Sequence, residues 1–106
     1  MINLNKLSTE AYITAKKREL NGAKIKADTI SMLKHCAGEV MEATEAYCDF
    51  VYEMTDEFEE KFQNEVADIM VCCLIVSGHI QFDIEKAINR VMEKNRLRAE
   101  KQGDKL

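Results

Sequence analysis

The chain has no proline, only four glycines, and no Ser/Gly-rich or low-complexity tract among its 106 residues. Nothing therefore reads as a linker or a repeat, and the length points to a single domain over residues 1–106. There is no block of like charge, and a net charge of −4 is the wrong sign for a general binder of nucleic acid or of anionic membrane. The N-terminal "MINLNKLSTEAYITAKK" lacks the apolar h-region of a secretory leader. The longest apolar run, Ile69 to Val76, is far too short to span a bilayer. Cys36, Cys48, Cys72 and Cys73 form neither a CxxC nor a zinc-type spacing. They read as reduced thiols serving as small apolar residues in a cytoplasmic protein.

What the chain does have is helical periodicity. A first helix is expected over about Ser8 to Leu20, capped by Ser8 or Thr9 and stopped at Asn21-Gly22. A second begins between Ala23 and Asp28 and runs to about Tyr52. Its stripe is Leu33, Cys36, Ala37, Val40, Thr44, Tyr47 and Val51, at three- and four-residue steps. A third starts at "TDEFEE", where Thr55 or Asp56 caps and Asp56 with Glu59 makes a capping box, and it ends at Gly78. A fourth starts after Asp83 with Ile84, Ala87, Ile88, Val91 and Met92 on its inward side. The expected fold class is all-α, a four-helix bundle.

The third helix also bears on assembly. Its first half is amphipathic through Phe58, Phe62, Val66, Ile69 and Met70, but from Ile69 to Val76 it is apolar on every face. A helix apolar all round is buried all round. Three neighbours in so short a chain hardly enclose it, so a homodimer or homotetramer is expected.

At the entrance to that run stand two carboxylates, in "EVADIMVCCLIV". At about 100° per residue, Glu39 and Glu42 lie about 100° and 160° to one side of Val40, and Glu65 and Asp68 lie at the same offsets from Val66. Pairs three apart share a helix face. Packed antiparallel, the two helices would gather four carboxylates, an arrangement whose repulsion calls for a cation. Oxygen-only ligands suit Mg2+ or Mn2+ rather than zinc. A di-iron bundle site would want Glu-x-x-His on two helices, and neither His35 nor His79 has a Glu three residues before it. Such pairs also occur on plain solvated faces, so spacing alone does not make a site.

The fourth helix ends in "RVMEKNRLRAEKQGDKL". Its inward stripe leads by steps of three and four to Asn95 and Arg98, with Lys94 adjoining and Lys101 and Lys105 following. Arg for two-point contacts and Lys as a point charge are what a polyphosphate needs. The same charges also suit the C-terminal end of a helix dipole.

Three stretches, "GEVMEATEA", "NEVADIMV" and "EKNRLRAEKQGDK", resemble in order and spacing the MazG-like all-α nucleoside triphosphate pyrophosphohydrolases. That family carries Glu-Glu-x-x-Glu on one helix, Glu-x-x-Asp on the next, and a C-terminal Asn-x-x-Arg. The resemblance, from about Leu33 to Lys105, implies a Mg2+-dependent cleavage of an NTP or dNTP between the α and β phosphates. It implies Glu39, Glu42, Glu65 and Asp68 as metal ligands and catalytic carboxylates, and Asn95 and Arg98, helped by Lys94 and Lys105, on the phosphates. Tyr12, Met32, His35 and Phe50 are the candidates for holding the base. The chain departs from the family pattern at Gly38, where the first Glu of the pair would stand, at Gln102, in place of a His, and at Val91, in place of a Lys. Those departures keep a second reading open, a non-enzymatic or degenerate member acting as an oligomeric metal-binding or interaction module.

Overall fold

The computed structural model describes residues 2–103, and side chains as far as residue 101. Four helices and no strand are found among them: α1 (Leu4–Leu20), α2 (Thr29–Glu53), α3 (Asp56–Ile80) and α4 (Ile84–Gly103). No helix among the described residues is long and apolar enough to cross a membrane.

Most boundaries follow local chemistry. Asp28 caps α2, its carboxylate accepting from Ser31 N at 2.9 Å and from Ser31 Oγ at 3.0 Å. Thr55 caps α3 by accepting from Phe58 N at 3.3 Å. At the end of α1, Gly22 adopts φ +96°, the left-handed geometry that favours glycine. Two boundaries differ from expectation. α1 starts at Leu4, not near Ser8, because Asn3 caps it and its first turn exchanges bonds with the start of α4. Asn5 Nδ2 donates to Asp83 Oδ1 at 3.0 Å, Ile84 N donates to Asn5 Oδ1 at 3.0 Å, and Leu4 N donates to Glu85 Oε1 at 2.8 Å. α3 runs past Gly78 to Ile80 and leaves its left-handed cap to Gln81, φ 65°.

The helix carries through Gly78 because that glycine has a packing task. A Cβ there would lie 2.6 Å from both Ser8 O and Tyr12 Cβ. Only glycine admits α1 so closely, and the contact buries Ser8 with Ser77. Ser8 Oγ donates to Leu74 O at 2.8 Å and is in hydrogen-bond contact with Ser77 Oγ. Ser8 is thus a buried packing residue in mid-helix, not a cap.

α2 and α3 form an antiparallel hairpin, and their inward faces are rotated from those expected. The seam is Met32, Cys36, Glu39, Ala43, Ala46 and Phe50 on α2, facing in reverse order Phe58, Phe62, Glu65, Ile69, Cys72 and Val76 on α3, all buried or half-buried. Each set advances by alternating steps of four and three. The seam lies about 80° from Val40 and Val66, toward the carboxylates. Val40 is instead 47% exposed, and Leu33, Tyr47, Val51, Val66 and Met70 stand out beside it. The reason is size: small Ala43 and Ala46 let the helices close on that side, where bulkier Val40 and Tyr47 would hold them apart.

The run Ile69 to Val76 is covered on two sides only. Cys72 and Ile75 are buried with Met32 and Ala27, whereas Met70, Val71 and Cys73 are exposed. All four cysteines are free thiols, and burial pushes the Cys72 thiol up to about 11, the state of an unreactive core residue. α4 touches the body through its first turns. Ile84 and Ala87 are half-buried, but from Ile88 through residue 101 every side chain is exposed, Val91 and Met92 included, so most of the expected inward stripe is bare. The radius of gyration of 16.7 Å exceeds the about 13 Å expected of a compact chain this long.

Candidate functional site

The hairpin register sets two carboxylates inside the seam rather than beside it. Glu39 and Glu65 occupy matching seam positions, and Glu42, one turn on from Glu39, completes a triad. One carboxylate oxygen from each of the three lies within 4.8 Å of the others. Glu42 is exposed, Glu65 is half-buried, and the Glu39 side chain is only 12% exposed.

Partners are scarce there. Glu39 Oε1 accepts from His35 Nε2 at 2.8 Å. The Oε2 atoms of Glu39 and of Glu65 are sealed from solvent and, as ionised carboxylates, find no hydrogen-bond donor. Orphaned buried carboxylate oxygens are costly in a folded chain. Burial first, and then the neighbouring charge of Glu42, pushes the Glu39 carboxyl above its ordinary range, with His35 opposing and both Asp68 and a carboxyl–carboxylate hydrogen bond with Glu65 adding. Asp68 itself is exposed and stands outside the tight triad.

Of the triad, Glu39 alone lines a cleft of about 530 Å3 that opens beside it. α2 contributes Met32, His35 and Glu39 to it, and α3 contributes Asp68, Val71, Cys72 and Ile75. The end of α1 and the connection after it supply Ala15, Arg18, Ala23, Lys24 and Ile25. One cavity thus joins carboxylates, an apolar floor and two cations, and its volume suits a small organic ligand. A second hollow, along the first turns of α4 at Asp83, Lys86 and Arg90, includes none of the triad.

Of the residues singled out by sequence, Glu39, Glu42 and Glu65 come together, and Asp68, Met32 and His35 share the cleft with Glu39. Tyr12 and Phe50 do not line it. The Tyr12 ring packs 5.8 Å from His79, and Phe50 stacks on Phe62 at 6.4 Å near the α2–α3 turn. Lys94, Asn95 and Arg98 stand exposed on the free part of α4, away from the cleft lining. Lys105 and the side chain of Gln102 lie outside the described residues. Gly38 is exposed on α2 with open space where a side chain would go. Arg18 and Lys24 escaped the sequence reading. Their only signal is that they flank the Asn21-Gly22 stop, and a chain reversal there is what turns both toward the α2–α3 hairpin.

No protein-family model matches the chain, and neither the curated proteins nor the solved structures hold a match.

Proposed function

We propose that the chain is a MazG-like, Mg2+-dependent pyrophosphohydrolase that splits an NTP or dNTP into nucleoside monophosphate and pyrophosphate. One observation carries this reading: two solvent-sealed carboxylate oxygens without a hydrogen-bond donor, from Glu39 and Glu65, cluster with Glu42, and Glu39 also lines a cleft of about 530 Å3. The donor set fits a hard cation, since the three clustered groups offer oxygen and neither thiol nor imidazole. Glu39, Glu42 and Glu65, with Asp68 from the adjoining cleft, would hold Mg2+ or in its place Mn2+. The ion, when bound, supplies charge neutralisation at the phosphates and an acidified water.

The rest belongs to the chain. His35 holds Glu39 in one orientation through the 2.8 Å bond, as partners behind a ligating carboxylate commonly do. Met32, Val71 and Ile75 give a base an apolar surface and keep water from it. In the family-like reading Lys94, Asn95 and Arg98 serve the phosphates. On the free part of α4 they can do so only from within an assembly.

The same reading carries a cytoplasmic homodimer or homotetramer. Its support is surface: the protomer exposes 8388 Å2, against about 6,000 Å2 for a folded monomer of this mass. The excess lies in the bare faces around Val40, Val66 and Met70 and along α4. Sizing by light scattering should give a dimer or larger, and a clean monomer at micromolar concentration would overturn the assembly.

The activity is tested by incubating the protein with a panel of NTPs and dNTPs, with and without Mg2+. Release of monophosphate and pyrophosphate in equal amounts, and only with a divalent cation, is the expected result. Absence of turnover across the panel with either Mg2+ or Mn2+ would sink the enzyme reading, and Mg2+ binding without turnover would leave a non-catalytic metal-binding module.

A further inference from the structure

A cleft bearing Glu39 and Asp68 repels a phosphate chain unless positive charge is supplied beside them. A bound divalent cation offsets part of that repulsion, but a triphosphate carrying one such ion is still an anion. Further cations are needed, and the phosphate-side residues of α4 do not line this cleft in the protomer.

Arg18 and Lys24 do. Arg18 lies in the last turn of α1, and Lys24 follows the reversal at Gly22. The connection is tied back onto the helix end, Ala23 N donating to Arg18 O at 2.9 Å and Asn21 N to the same oxygen at 3.1 Å. That closure returns the chain at Lys24 to the level of Arg18, and both residues line the one cleft. Their charges are also free. Lys16 is engaged by Glu19 at 2.9 Å, and Arg96 by Glu93 and Glu100. Among the described residues neither Arg18 nor Lys24 makes an ion pair. Two unpaired cations lining a cleft that also bears Glu39 and Asp68 form a polarised cavity, matched to a ligand with negative charge spread along it, one end of which a cation would neutralise.

We propose that Arg18 and Lys24 bind the phosphate chain of a nucleoside triphosphate in this cleft, so that the protomer holding the carboxylates also supplies phosphate-binding cations. The assignment rests on the nucleotide reading above. The guanidinium of Arg18 offers a planar two-point contact and Lys24 a mobile point charge. Because both are exposed and neither braces the core, their removal should spare the fold.

The test is a calorimetric titration of the full chain with inorganic tripolyphosphate in the presence of Mg2+, run beside nucleotide hydrolysis. Arg18→Ala and Lys24→Ala should each weaken tripolyphosphate binding about tenfold, the loss of one charge-assisted contact. The double variant should lose more, with an unchanged thermal midpoint and a raised KM for nucleotide. A double variant that binds tripolyphosphate as tightly as the wild type would overturn the assignment, as would a wild type that binds none. The two readings fail separately. Binding that depends on Arg18 and Lys24 without hydrolysis of any nucleotide keeps this assignment and removes the enzyme. Hydrolysis by a double variant of unaltered affinity does the reverse.

Discussion

Glu39→Gln will lower nucleotide turnover by about 10²–10³-fold and will make the metal-free protein more stable, not less. Both effects come from the same buried oxygen. The substitution keeps the shape of the side chain but removes the charge that a Mg2+ ion needs, so the loss should appear in kcat and in the Mg2+ concentration at half-activity. In chelator the balance is different. Glu39 Oε2 is sealed without a partner, and Glu42 and Glu65 crowd it. A neutral amide relieves that repulsion and can donate to either neighbour, a gain of about 1 kcal/mol. A thermal melt in EDTA should therefore rise while activity falls. A variant both inactive and less stable in EDTA would show that the carboxylate serves structure instead of a cation.

The same group sets a pH dependence whose sign is opposite to that of most carboxylates. The Glu39 carboxyl is raised in the folded chain, chiefly by burial and next by Glu42. The native state therefore keeps a proton that the unfolded chain releases. Stability from this source is whole below the ordinary carboxylate value and is lost as pH rises from there through the elevated folded value. In EDTA the melting midpoint of the wild type should decline across that window, and Glu39→Gln should flatten the decline. Added Mg2+ should reverse it, because the ion replaces the proton.

Gly78→Ala will unfold the protein more readily, and the parallel change Gly38→Ala will do the opposite. By helix propensity alone each substitution should add about 1 kcal/mol of stability. At Gly38 nothing lies within 4 Å of the new methyl, so that gain should appear as a higher thermal midpoint. At Gly78 the methyl meets the backbone oxygen of Ser8 and Tyr12 Cβ at 2.6 Å. Backbone cannot rotate away, so α1 must move off α3. That overpacking costs about 1–3 kcal/mol. Separation also pulls Ser8 from Leu74 O and Ser77, and leaving buried hydroxyls unpaired adds about 1–3 kcal/mol. A net loss of about 2 kcal/mol should lower the midpoint by roughly ten degrees. Equal midpoints for the two variants would mean that α1 is not held where Gly78 places it.

The glycines also show why sequence patterns reach only part of this fold. Both lie inside helices, and the chain alone offers no way to tell an idle glycine from one that admits a neighbouring backbone. The usual cue, a glycine near a helix end, pointed to a stop at Gly78 and missed Gln81, where the left-handed cap falls. The Asn21-Gly22 stop was legible because a positive φ needs glycine locally and nothing distant competes for it. Ser8 misled in a similar way: its hydroxyl suits a cap, but a carbonyl of α3 claims it.

The candidate site divides along the same line. Four helices, their approximate spans and the i, i+3 carboxylate pairs follow from short-range periodicity and capping, which operate within a turn or two of the backbone. Equal offsets of Glu39 and Glu65 from their stripes were visible too, because matched heptad-like steps are a property of the string. Which face turns inward was not. Val40 and Val66 look like core centres by hydropathy, but Ala43 and Ala46 allow closer approach, and the seam forms about 80° away. That rotation takes Glu39 and Glu65 from the flank into the seam and strands their Oε2 atoms. Arg18 and Lys24, distant in sequence from every carboxylate of the cluster, reach the cleft that Glu39 lines through the chain reversal at Gly22, another effect no local pattern shows. Local pattern decides that a residue is helical and charged. Only packing, where side-chain volumes compete for one interface, decides which charges lose their water and what must replace it.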